Sequence, residues 1–127
     1  MTAEFDLDRR YGEAGELETL GILKPGSTYE VKHKTFVDDL FYVEYEQLPH
    51  HSVEAGIYKP SGIAISTADY WAFVIADTGV VVIVPRERLQ AVARLSYKIP
   101  DRRKETNDSD NPTRGVLVAF KELLKRL

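Results

Sequence analysis

The chain has 127 residues, 43% hydrophobic and 29% charged, which suits one soluble domain spanning residues 1–127 that buries roughly two-thirds of its unfolded surface. No run approaches the roughly 20 apolar residues of a membrane helix, and Glu4, Asp6 and Asp8 interrupt the N-terminus, so neither a membrane span nor a signal peptide is expected and a cytoplasmic setting is the default. The absence of cysteine excludes disulfides, thiolate zinc sites and a cysteine nucleophile, and the formal charge of −3 argues against nucleic-acid binding by overall attraction.

Residues 6–23 predict a helix, with Leu7, Tyr11, Ala14, Leu17 and Leu20 near helical spacing and Gly12 and Gly15 weakening it. Pro25-Gly26-Ser27 ends that segment. Two strands follow, Tyr29 to Lys34 and Phe41 to Glu46, with Val37-Asp38-Asp39 as the turn between them and Pro49 closing the second. Residues 50–69 read as a polar connection with a short strand at 62–65, and Ser66-Thr67-Ala68-Asp69 as a capping box that starts a helical turn. Trp71 to Ala76 and Val80 to Val84 predict a hairpin across Asp77-Thr78-Gly79, and their near-continuous apolar character marks the buried centre of the sheet. Pro85 suits the first turn of a helix through Leu95 with Leu89, Val92 and Ala93 inward. Residues 99–114 read as a charged loop, 115–118 as a last short strand and 120–127 as a terminal helix. The order is that of an α+β domain.

Within the strand pair, alternation sets Glu30, Lys32 and Lys34 on one side of the first strand and Glu44 and Glu46 on one side of the second. A turn centred on Asp38 would place Lys32 opposite Glu44 and Glu30 opposite Glu46. Clustered carboxylates beside a lysine can hold a divalent cation. They also suit an ordinary wet sheet face, where opposite charges across strands contribute about 0.2–1 kcal/mol.

Taken in order, Gly12-x-x-Gly15-Glu16, the acidic strand pair, Ser61-Gly62-Ile63 and Thr67-Ala68-Asp69-Tyr70-Trp71 resemble the PD-(D/E)XK nuclease superfamily, in particular its small phage and bacterial members that are Holliday-junction-resolvase-like or restriction-endonuclease-like. Arg114-Gly115-Val116-Leu117-Val118 resembles the closing strand. The resemblance implies a central mixed β-sheet flanked by helices, and metal-dependent endonuclease cleavage of DNA, branched DNA included, in a bacterial or phage-infected cell. It implies Glu16, Glu44 and Glu46 as ligands of Mg²⁺ or Mn²⁺, and Lys32 as the cation that steadies phosphate charge. Hard oxygen ligands suit such ions, which lower the pKa of bound water. A homodimer is compatible with it.

Lys34 departs from that pattern, standing where an aspartate is expected. The alternative is therefore a catalytically silent module that binds DNA or a protein on the same fold. Arg102, Arg103 and Lys104 belong to a basic stretch without apolar content, which suits phosphate contacts or a solvated loop. His50-His51 read as surface imidazoles, and Tyr42, Tyr45, Tyr70 and Trp71 as packing residues or platforms for bases.

Overall fold

The computed structural model describes residues 24–49, 56–107 and 111–125. Among these are β1 (Tyr29–Lys34), β2 (Leu40–Gln47), β3 (Lys59–Pro60), β4 (Tyr70–Ile75), β5 (Val81–Pro85), α1 (Arg86–Tyr97), β6 (Arg103–Thr106), β7 (Thr113–Ala119) and the single-turn α2 (Phe120–Leu123). Short 3-10 turns lie at Gly62–Ala64 and Pro100–Arg102. The predicted helix over 6–23, and with it Glu16, falls outside the described residues.

The α+β class holds, but the strands form two sheets where one was expected. A three-stranded sheet runs β1-β4-β5 and a four-stranded sheet runs β3-β2-β7-β6. The predicted β1–β2 hairpin does not form. Instead β1 lies parallel to β4, pairing Glu30 with Trp71 and Lys32 with Phe73, while β2 lies antiparallel to β7 and β3. The physical reason is burial: β4 is the most apolar strand, and β1 and β5 take its two edges. The β4–β5 hairpin forms as expected, turning through Asp77 at φ 56° and Gly79 at φ 74°.

The core lies between the sheets and α1. Trp71, Phe73 and Val84 from the smaller sheet meet Phe41, Val43, Val116 and Val118 from the larger, and Leu89, Val92 and Ala93 of α1 join the same cluster. Phe41 and Phe73 meet edge to face with centroids 4.9 Å apart. The helix begins after Pro85, whose ring supplies a fixed φ just ahead of the first turn. Three local expectations are corrected. Residues 66–69 start no helix: Ser66 Oγ accepts from the Ala68 N–H and the Trp71 indole, while the Asp69 carboxylate takes the Thr28 N–H and the chain enters β4. Residues 62–65 turn rather than extend, and β6 forms inside the expected loop because the free edge of β7 offers it a ladder.

Candidate functional site

The site is set by an irregularity in β2. Glu44 pairs with Gly115 and Glu46 with Arg114, so Tyr45 is an extra residue between two adjacent positions of β7. Neighbouring residues of a strand point to opposite faces, and the bulge therefore sends Glu44 and Glu46 to opposite sides of the sheet. Tyr45 packs against the core with its ring edge-on to Tyr97 at 5.6 Å. The 3-10 turn fixes this geometry: Ser61 donates its N–H to the Tyr45 carbonyl at 2.9 Å, and Gly62, at φ 52°, lies so close to the Glu44 carbonyl that a Cβ there would overlap it.

On its side of the sheet Glu46 meets Arg114 at 3.4 Å, and Arg114 also holds Glu105 at 3.0 Å and lies 3.7 Å over the Tyr58 ring. The Glu105 carboxylate beside it raises the Arg114 pKa further. Glu46 is thus engaged in a surface charge cluster.

Glu44 faces a cleft of about 390 Å³ whose wall also includes Lys32, Tyr42 and Lys104, with Trp71 and Phe73 as its floor and Phe36 at its rim. Lys32 reaches it from β1, 3.2 Å from Glu30 and 5.4 Å above the Trp71 ring. Lys104 reaches it because its register partner in β7 is Gly115, on the same face as Glu44. Tyr42 lies over Gly115, where a Cβ would come 2.5 Å from the ring, and its hydroxyl is 2.8 Å from Thr113 Oγ1, itself 2.6 Å from Thr106 Oγ1. Burial pushes the Tyr42 phenol pKa up, keeping it protonated at neutral pH.

Of the expected catalytic set, the cleft brings Lys32 and Glu44 together and turns Glu46 away. Paired Glu44 and Glu46 do not fit a shared Mg²⁺ or Mn²⁺, since their carboxylates leave β2 in opposite directions, and no group of three potential ligands occurs among the described residues. Lys34 is also not a free cation. It is buried, with its ammonium donating to the Phe36 carbonyl and the Asp38 carboxylate and resting 5.6 Å from the Phe41 ring. The basic triplet divides as well: Lys104 faces the cleft, Arg103 pairs with Val116 on the opposite face and lies 5.2 Å from the Tyr97 ring, and Arg102 ends a 3-10 turn beside Ile99.

Sequence reasoning missed Phe36. It is 74% exposed in the β1–β2 connection, and the available signal was an apolar Phe36-Val37 pair inside a segment otherwise marked as a turn. No protein-family model, curated protein or solved structure matches the chain.

Proposed function

We infer that this protein is a non-catalytic DNA-binding module whose contact surface is the cleft between β1 and β2. The observation that carries the reading is the convergence of Lys32 and Lys104, from separate sheets, on one concave surface in an acidic protein. Local cation pairs supply phosphate contacts that overall charge does not, and such contacts govern affinity and its dependence on salt. DNA as ligand and a cytoplasmic setting are what the sequence resemblance to PD-(D/E)XK nucleases implies, although the acidic strand pair that carried it does not form a hairpin. The separation of Glu44 from Glu46 and the engagement of Lys34 by Asp38 favour the silent module over the Mg²⁺-dependent endonuclease.

The test is fluorescence anisotropy with labelled DNA across a salt series. Lys32→Ala with Lys104→Ala should weaken binding whatever the base sequence and flatten the logarithmic salt slope by about 0.7–0.9 for each lost contact. A double variant with the parent's affinity and slope would remove the cleft from the interface. Cleavage of DNA in Mg²⁺ that disappears in Glu44→Gln would overturn the non-catalytic assignment.

A further inference from the structure

We propose that the cleft receives an unpaired segment of DNA, with Phe36 as the platform on which a base stacks and Lys32 and Lys104 as the holders of its flanking phosphates. The proposal rests on the DNA-binding reading and names its substrate class.

Phe36 and Val37 are each 74% exposed, so neither ring nor isopropyl group contributes to the core. An exposed aromatic on a short connection would ordinarily fold back onto the nearest apolar surface. Here the backbone around it is tied. Lys34 donates to the Phe36 carbonyl and to Asp38, the same Asp38 oxygen accepts the Leu40 N–H at 3.0 Å, and the Asp39 carbonyl accepts the Phe120 N–H at 2.7 Å. Burying an ammonium is costly unless it is fully engaged, so Lys34 keeps both acceptors and thereby holds the loop. The outcome is an aromatic ring presented at the mouth of the cleft in advance of any ligand, which lowers the ordering cost of binding.

The surroundings identify the occupant. Beside the ring the cleft carries Lys32, Lys104 and the exposed His33; of the carboxylates, Glu44 lines the cleft, Asp38 is held by Lys34, and Glu30 meets Lys32 at 3.2 Å from outside the lining. An apolar ring flanked by cations complements a base flanked by phosphates. The volume lies in the range of small-ligand sites, enough for a nucleotide. In a duplex each base face is covered by its neighbours, so an exposed aromatic platform selects strands whose bases are free.

The experiment compares parent, Phe36→Ala and Phe36→Trp for binding to a labelled oligothymidine and to a duplex of equal length, with a thermal melt as the folding control. We expect the parent to prefer the single strand, Phe36→Ala to weaken that binding about 5- to 100-fold while leaving duplex binding unchanged, and Phe36→Trp to keep it. Salt-dependent DNA binding with equal affinity for parent and Phe36→Ala would overturn the platform and leave the DNA-binding reading standing. An equal loss on both DNA forms would overturn base stacking. Failure of the parent to bind either form would overturn both readings. A parent dimer that Phe36→Ala converts to monomer, with DNA binding unchanged, would assign the ring to a contact between copies.

Discussion

Two acidic residues two positions apart on β2 have different fates. Glu46 sits in a charge cluster with Arg114, Glu105 and Tyr58, whereas Glu44 opens onto the cleft and has no hydrogen-bond or ion-pair partner among the described residues. The difference lies in one inserted backbone residue, Tyr45, and in the glycine that braces it. An acid-x-acid pattern specifies a shared face only where the strand alternates without interruption. Glu46 therefore joins a charge cluster at the exposed end of the face that carries Val116 and Val118, and the opposite face leaves Glu44 among the cleft cations.

The strongest way to break this arrangement is Gly62→Ala. A left-handed backbone costs a non-glycine residue about 1–2 kcal/mol, and pressing a Cβ against the Glu44 carbonyl adds about 1–3 more, for a loss of about 3 kcal/mol in denaturant unfolding. A melt unchanged from the parent would show that the bulge does not depend on Gly62. Next comes Gly115→Ala on the cleft side, where the new methyl would displace the Tyr42 ring. We expect a loss of about 1–3 kcal/mol, with the Tyr42 to Thr113 hydrogen bond broken.

Acid provides a smaller perturbation, confined to the cleft rim. Lys34, and secondly the Leu40 N–H, hold the Asp38 carboxyl below its usual range. Because the folded pKa is depressed, the stabilisation it gives is complete above the unfolded value of about 4 and is lost as pH falls through the folded pKa. The protection factor of the Leu40 amide, taken against its intrinsic exchange rate at each pH, should fall below about pH 4 in the parent. In Asp38→Asn it should show no such fall.

The smallest effects sharpen the comparison most. Glu46→Gln should leave the melt within replicate scatter, since Arg114 keeps Glu105 and Tyr58, and should leave DNA affinity unchanged. Glu44→Gln should also spare stability but tighten DNA binding about two- to fivefold, because one charge repelling a phosphate in a largely aqueous cleft is removed. Equal responses from the two variants would show that the bulge does not separate their roles.

Much of the fold was legible. The hairpin around Asp77-Thr78-Gly79, the helix after Pro85 and its inward Leu89, Val92 and Ala93 follow from local chemistry, because turn residues and apolar spacing act over a few positions. The partners of β1 and β2 were not legible. Their proximity in sequence and an intervening turn suggested a hairpin, but the ladder follows burial, and the apolar edge of β4 competes better for β1 than the half-exposed β2 does. The bulge left only a weak trace, glycines at 62 and 115, which mark close approach without saying to what. Lys32 and Glu44 were recognised as site residues, but through a pairing that does not exist; the cleft joins them across two sheets.

The β1–β4 pairing also governs how the molecule folds. β4–β5 is closed by a short turn and β6–β7 also pairs consecutive strands, while Tyr42 and Thr113 meet across 71 residues of sequence and β1 must wait for a strand it parallels. Long-range pairings form after local ones because loop closure must come before their contacts exist. The β4–β5 hairpin, the more apolar of the two local pairs, is then the natural nucleus, and the cleft, bounded by β1 on one side and β2 on the other, is completed last. Substitutions such as Val82→Ala should slow refolding, whereas changes at Lys32 or Tyr42 should appear mainly in the unfolding arm of a chevron plot. The cleft would thus be the most recently assembled part of the described fold and the first to open.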